Sequence, residues 1–495
     1  MSRVARNLVF LLVSQLATWT ITSIVLVTVP DRLSPEGWGT FGFATTYVQF
    51  FTLAASLGTV VLLTKLVARD PSTLGELGYN ALVLRIISAI VLSAAAIALA
   101  VLIGTTGDAL VLVALGCVGM LFLVVNDVFV GAQAGLEVMG RAAMWSVVQT
   151  YLASVIGLVV VFQGGGVVPF GAAFFLAPVV PMIANGFKVW PWLRASRRID
   201  LGIWRMLVTA GIPLTLLTSL NLIYGTIDIP ILNGIAGETT VGWYTLAYRY
   251  VAIPIFIATA AVAAFFPSFS AHGATMSDEF SRQVNRALRL VLLVSIPAAA
   301  GIAVMAEDIV GFFHTESFQP AVPVMQLLAL HIPLAAVGVI LGMSLIASDR
   351  HSRYILVALG AAIISPIAAV SMINWSVDQY DNGAIGAAIT TVAVEVFVMV
   401  GALALRAPGV FDRRTIVFTG RILVAGGAMA LVVWVLDPGL LVGILVGIVS
   451  YAVAVVAVRA IRVGEIRGGL QGVVATLRSR GAPPPDVTDS LGPGV

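Results

Sequence analysis

Four charged residues lie inside otherwise apolar runs and are the side chains best placed to do chemistry: Asp228, Arg249, Asp127 and Glu395. A charge near the centre of a bilayer costs on the order of 2.5–3.5 kcal/mol on insertion scales unless water or a partner relieves it. Such residues persist as interhelical pairs, or as contacts for a substrate or a coupling ion. For Asp228 and Arg249 two arrangements are open: a salt bridge between neighbouring helices, or two groups lining a wet cavity. Asp127 and Glu395 are either hydrogen-bonded packing residues or, with Asp228, candidate sites for a coupling ion.

Uncharged polar residues extend this pattern. Thr218, Asn221, Gly225 and Asp228 follow one another at steps of three, four and three, so they share one helix face. Thr45, Gln49, Thr52 and Ser56 repeat the stripe, and Gln15, Thr18 and Thr22 add a third. Polar stripes either hold helices together or line a lumen. Their recurrence at corresponding places favours a shared lumen. Arg249, Asp228, Asn221, Thr218, Gln49, Thr45, Gln15 and Thr18 are then the candidate substrate contacts.

Other chemistries lack their residues. No phosphate-binding G-x-x-x-x-G-K-[ST] motif occurs, so nucleotide hydrolysis is not expected. The four histidines are scattered, and only His331 falls in an apolar run, where a backbone carbonyl is expected to satisfy it. Cys117 is the only cysteine, which rules out an internal disulfide. No catalytic residue, metal or cofactor is expected. Asp378 and Asp381 read as a solvated turn.

The elements that must position these residues are membrane helices. The chain of 495 residues is 59% hydrophobic and 10% charged, against about 25% charged in a soluble domain. Apolar runs long enough to cross about 30 Å of hydrocarbon lie near 7–29, 41–64, 83–104, 109–131, 143–162, 168–190 and 207–230. Others lie near 242–266, 288–306, 322–347, 354–374, 383–405, 416–436 and 440–459, fourteen in all. The first exceeds 20 residues and ends at Val29-Pro30-Asp31 without a small-x-small site, so it reads as a span and not a cleaved signal. Pro213, Pro254, Pro297 and Pro333 predict bends within spans.

Charge placement tests this segmentation, because Lys and Arg collect in cytoplasmic loops. With the N-terminus inside, alternate loops take Arg3 and Arg6, Lys65 and Arg69, Arg85, Arg141, Lys188 to Arg205, Arg282 to Arg289, Arg350 and Arg353, Arg406 to Arg421, and Arg459 to Arg480. Of 27 basic residues, only Arg32 falls in an outer loop and only Arg249 deep within a span, Arg85, Lys188, Arg289 and Arg421 falling toward the cytoplasmic ends of theirs. The net charge of +3 therefore reports topology, not nucleic-acid binding. Both ends are expected in the cytoplasm.

An internal repeat follows. Gly37-Trp38-x-Thr40 aligns at an offset of 205 with Gly242-Trp243-x-Thr245, and Gly135 to Arg141 pairs with Ser344 to Arg350. Six spans separate the copies, so the halves share one orientation about an axis along the membrane normal. The predicted fold is all-α: a polytopic membrane protein with one six-helix bundle over 1–200, a second over 201–407, a central cavity between them, and two extra helices over 408–462. Residues 463–495, rich in Gly, Pro and charge, are expected to be a disordered cytoplasmic tail.

Several stretches resemble one family. Leu33-Ser-Pro-Glu-Gly-Trp-Gly-Thr-Phe, Leu57-Gly, Ala68-Arg-Asp-Pro, Gly211-Ile-Pro, Tyr224 to Asp228, Val241-Gly-Trp-Tyr-Thr-Leu-Ala-Tyr-Arg, Phe266-Pro-Ser-Phe-Ser and Ala321-Val-Pro-Val-Met-Gln-Leu-Leu-Ala are similar to the polysaccharide-biosynthesis oligosaccharide flippases. Their superfamily also holds the multidrug and toxin extruders and the lipid II flippases. The resemblance implies a secondary-type transporter in the bacterial inner membrane. It would carry an undecaprenyl-pyrophosphate-linked oligosaccharide to the outer leaflet by alternating access, with glycosyltransferase and polymerase neighbours. It further implies that Arg249 meets the pyrophosphate, and that Asp228 couples to a proton or holds Arg249. The paucity of basic lumen residues is a departure that argues against strongly anionic glycans. Rival functions are a cation-coupled drug exporter of the same fold and a membrane glycosyltransferase or polymerase. The exporter calls for a lumen of acids and aromatics, and the enzyme for a larger outer loop than the chain offers.

Overall fold

The computed structural model describes residues 3–460 except 195, 274, 275 and 349; the predicted tail lies outside them, as do the side chains of 3–17, 139, 213, 214, 217, 256–264, 266, 267, 271, 272 and 351. The described residues form helices and no strands. The first nine are α1 (Arg3–Ser56), α2 (Thr59–Arg69), α3 (Leu74–Leu102), α4 (Gly107–Gly135), α5 (Met139–Phe162), α6 (Val167–Leu176), α7 (Val179–Leu193), α8 (Leu201–Thr226) and α9 (Asp228–Gly273). The rest are α10 (Asp278–Val304), α11 (Ala306–Phe313), α12 (Ala321–Ala329), α13 (His331–Ala347), α14 (His351–Tyr380), α15 (Gly383–Leu405), α16 (Arg413–Leu436) and α17 (Leu440–Ala457). Among them are eleven stretches long and apolar enough to cross a bilayer. Helices prevail because hydrocarbon offers backbone groups no other partner. This is a polytopic membrane protein.

The longest helices are each divided by one residue. Ser34 in α1 (φ 66°, ψ 165°) and Gly237 in α9 (φ 80°, ψ 175°) leave helical geometry and turn the chain through a corner. Pro35 disfavours helix at Ser34, and Gly237 reaches positive φ without a Cβ penalty. The helix breaks fall elsewhere than at the four prolines singled out above: at these corners, at Leu57–Gly58, at Ile227 and at Leu330. Helix α10 continues unbroken through Pro297.

The two corners pack against each other. A Cβ on Gly39 would overlap the Glu238 carbonyl, and a Cβ on Gly242 would overlap the Pro35 carbonyl. The contact is reciprocal, as a two-fold relation requires, and α1 against α9 is the most extensive helix pairing in the protein. Ser34 with Gly237, and Gly39 with Gly242, both stand 203 residues apart. The repeat offset of 205 is thus corrected by two: the shared Gly-Trp-x-Thr letters matched, but the backbone equivalence pairs Gly39 with Gly242.

Loop contacts sort into two faces as the charge alternation predicts. On the basic face, Asn80 donates to the Arg198 carbonyl (3.0 Å), Arg350 to the Leu405 carbonyl (2.9 Å) and Asn285 to the Gly409 carbonyl (2.7 Å). On the acidic face, Thr40 donates to Glu238 (2.6 Å) and Asn382 to the Pro320 carbonyl (3.0 Å). Arg85 departs from expectation. It is no loop residue but lies within α3 at 1% exposure, its guanidinium fully engaged by the protein.

A buried amide chain ties α4 to α7. Gln133 donates to Asn185 (3.0 Å), which donates to Asn126 (2.9 Å). Such bonds between membrane helices contribute about 0.6–1.7 kcal/mol each. Replacing Asn185 with Leu removes both and should lower the melting temperature of the detergent-solubilised protein; a variant as stable as the parent would show that the chain does not form.

Candidate functional site

Asp228 opens α9 just after the break at Ile227 and is buried, at 3% exposure. Its carboxylate accepts three hydrogen bonds: from the Tyr244 hydroxyl, from Thr391 on α15 (3.0 Å) and from the Ile229 amide (3.0 Å). Tyr244 lies beyond the Gly237 corner, so this one side chain fastens both arms of α9 to α15. Of the two arrangements left open, the salt bridge to Arg249 does not form among the described residues. Neighbours in a membrane are not partners by default: here the hydroxyls reach the carboxylate first, and the sequence spacing of Asp228 and Arg249 left the side-chain directions open.

Arg249 instead sits over the Trp38 ring, with Cζ 4.8 Å from the ring centroid. It crosses from α9 to the corner of α1, and among the described residues no carboxylate lies within ion-pair distance of it. A cation over an aromatic face gains about 0.5–2 kcal/mol, less than the cost of placing the charge at mid-membrane. The guanidinium keeps unspent hydrogen-bond donors.

Glu395 on α15 and His331 at the start of α13 form a second buried pair, Oε2 to Nδ1 at 3.9 Å. The Tyr248 ring stands beside His331, with centroids 5.9 Å apart, and Gly338 leaves room for Oε1. Contrary to expectation, no carbonyl satisfies His331: its Nδ1 has no hydrogen-bond partner. Asp127 is differently placed. It pairs with Arg85 at 3.3 Å and keeps 44% of its side chain exposed.

The polar stripes separate by exposure. Gln49, Thr218 and Asn221 are exposed, Thr18 and Thr45 partly buried. Thr45 and Thr52 donate to their own helix, to the Phe41 and Val48 carbonyls. Gln15 lies among the side chains outside the described set. A Cβ on Gly225 would meet nothing within 4 Å, so the Asn221 face borders open space. Two close contacts join α1 and α2 to α8 and α9. One is the Gly39/Gly242 crossing; at the other, on the basic face, a Cβ on Gly211 would overlap the Leu57 carbonyl.

Several residues that engage these charged groups were not legible beforehand. Trp38 was read as part of a repeat, Tyr244 as part of a family motif and Thr391 as one more residue of an apolar run. An outer-loop latch was missed as well. Asp31 accepts from the Thr315 amide (2.9 Å) and faces His314 Nδ1 (3.2 Å), whose Nε2 meets the Tyr250 hydroxyl (2.9 Å). Burial pushes His314 below its ordinary pKa while Asp31 pulls it back.

Comparison with known proteins decides the lineage. The model for "Polysaccharide biosynthesis protein" matches residues 4–272, which hold both corners, Asp228 and Arg249. The chain belongs to the polysaccharide biosynthesis protein family. It is also similar to the "Probable low-salt glycan biosynthesis flippase Agl15" of Haloferax volcanii, 27% identical over 169 residues; the match spans 34% of this chain and 34% of that relative. In fold it resembles the inward closed conformation of the lipid II flippase MurJ, with a TM-score of 0.72 at 14% identity over 90% of this chain and 98% of the other. An inward-facing multidrug resistance MATE family transporter follows, with a TM-score of 0.58 at 18% identity over 79% and 98%.

Within this family member, Tyr244→Phe deletes only the hydroxyl that Asp228 accepts from. Leaving a buried charged acceptor short of a donor costs about 1–3 kcal/mol, so the variant should melt earlier and Asp228→Asn/Tyr244→Phe should lose less than the sum of the two single changes. Additive losses would mean that the pair does not interact.

Proposed function

We propose that the protein is a flippase that carries an undecaprenyl-pyrophosphate-linked oligosaccharide from the inner to the outer leaflet of a bacterial inner membrane by alternating access. The observation that carries this reading is Arg249, a guanidinium stacked on Trp38 with no carboxylate against it. An anionic headgroup supplies the partner that the protein does not. Family membership and the MurJ-like fold are consistent with such a substrate.

The corners at Ser34 and Gly237 support a count of fourteen crossings, both chain ends being cytoplasmic. Residues 1–200 and 201–407 then form the two six-helix halves, and 408–462 contribute α16 and α17. The open space beside Gln49, Thr218, Asn221 and Gly225 receives the sugars, which hydroxyl and amide groups bind without strong charge. An apolar groove of about 820 Å³ runs between α9, α10 and the α16–α17 hairpin, bordered by Pro254, Pro297, Gly301, Gly443 and Tyr451. It offers the lipid chain a place beside the headgroup, since Tyr250, next to Arg249, also borders it. Asp228 and the Glu395–His331 pair are the sites for a coupling proton; Asp127, engaged by Arg85, is the weaker candidate. Glycosyltransferases would supply the substrate and a polymerase would consume it.

A cation-coupled drug exporter is the second reading, favoured by the buried acids Asp228 and Glu395 among tyrosines. Arg249 opposes it, because a cationic drug would be repelled where an anionic headgroup is held.

Complementation of a flippase-deficient strain separates the two. Arg249→Ala should abolish surface polysaccharide at normal membrane levels of the protein, and Arg249→Lys should restore part of it, retaining charge without the planar fork. Full complementation by the Ala variant would reject Arg249 as a substrate contact. Glu395→Gln should block net transport driven by a proton gradient while leaving substrate binding intact; gradient-driven transport at the parent rate would remove Glu395 from coupling.

A further inference from the structure

The guanidinium of Arg85 is buried in α3 and makes five hydrogen bonds. Nε donates to the Ser56 carbonyl (3.2 Å) and Thr59 Oγ1 (2.8 Å), and Nη2 donates again to the Ser56 carbonyl (2.9 Å). Nη1 reaches the Val124 carbonyl (2.9 Å) and Asp127 (3.3 Å). Ser56 ends α1 and Thr59 begins α2. Arg85 therefore clasps the two helix ends on either side of Leu57 and Gly58, which both hold positive φ, 49° and 61°. A left-handed conformation costs a residue such as leucine roughly 1–2 kcal/mol, so Leu57 needs the surroundings to hold it there.

What this strained turn presents is the Leu57 carbonyl. It meets Gly211 of α8 so closely that no Cβ could be accommodated, and Gly58 in turn lies against the Gly211 carbonyl and Thr215. Along the chain, 18 residues separate Leu57 from Gly39, about 27 Å of helix, close to the hydrocarbon thickness. The Gly39/Gly242 crossing and the Leu57/Gly211 contact thus lie about one bilayer thickness apart along α1, and Asn221 and Gly225 fall between Gly211 and Gly242 along the chain. At both, backbone meets backbone; the Leu57/Gly211 contact adds Thr215 beside Gly58, and the Gly39/Gly242 crossing adds the Thr40–Glu238 hydrogen bond and Arg249 over Trp38.

We propose that Arg85 is a positioning residue for transport: it holds the Leu57–Gly58 turn against Gly211, and that contact is the cytoplasmic gate, with Gly39/Gly242 as the outer one. This rests on the alternating-access reading above. Substrate is not touched by Arg85; its role is to keep the turn intact while the halves rock.

Side-specific labelling tests it. With the lone cysteine replaced (Cys117→Ala), Gly225→Cys, which has room for its side chain, is exposed to a membrane-impermeant maleimide in intact cells and in inside-out vesicles. Gly211→Ala and Arg85→Ala should each raise labelling from the cytoplasmic side about tenfold, as a two-state equilibrium responds to loss of one closed state. Arg85→Lys, which keeps the charge and some donors, should give an intermediate value, and Gly39→Ala should raise labelling from outside instead. Labelling is normalised to inserted protein; should Arg85→Ala be lost from the membrane, Gly211→Ala and Arg85→Lys decide. Cytoplasmic labelling that stays at the parent level in Gly211→Ala, while Gly39→Ala opens the outer side, would overturn the gate and leave the cavity standing. Failure of Gly225→Cys to label from either side in every background would overturn both.

Discussion

The carbonyl oxygens of Pro35 and Glu238 each occupy the place where a side chain would stand on a glycine of the opposite corner. Nothing larger than hydrogen can be tolerated at Gly39 or Gly242, so the two halves meet backbone to backbone. Much else depends on that closeness. It brings Trp38 of one corner under Arg249 of the other arm, and it lets Thr40 reach Glu238 across the seam. In hydrocarbon, where apolar surface gives no net drive to helix association, close backbone packing of this sort is a main source of cohesion.

Two charges in similar apolar runs meet different fates because their surroundings differ. Asp228 is saturated with donors and joins α9 to α15, so its charge is a structural tie that any titration must loosen. Arg249 is held by a ring face, which orients a guanidinium without consuming its hydrogen bonds. Arg85 shows a third outcome: four acceptors take five hydrogen bonds from it, and the charge is used up in shaping the backbone beside it. The Glu395–His331 pair is a fourth case, close but not hydrogen-bonded.

The resemblance stated on short motifs agreed with the family model, which spans both corners and the residues from Tyr224 to Arg249. The match to MurJ over most of the chain fixes the fold, while the match to the archaeal relative spans only a third of each protein. The polar stripe through Thr218 and Asn221 was found by spacing, and the structure leaves that face open. Gln49 was legible in the same way. Thr45 was less so: helical spacing cannot show that its hydroxyl turns back to the Phe41 carbonyl.

Hydropathy and the placement of Lys and Arg are sums along one dimension, so the sequence by itself determined that the chain is helical, that it belongs in a membrane, and which loops share a face. The sorting of Asn80 with Arg198, and of Asn382 with Pro320, follows that pattern. The partner of each buried charge is a matter of a few ångströms between residues tens or hundreds of positions apart. Only the tertiary structure could decide that Arg249 rests on Trp38, that Asp228 is bound by Tyr244 and Thr391, and that Arg85 lies inside the protein. The repeat register went the same way, because matching letters report composition, whereas equivalence at 203 residues is set by where two carbonyls find glycine.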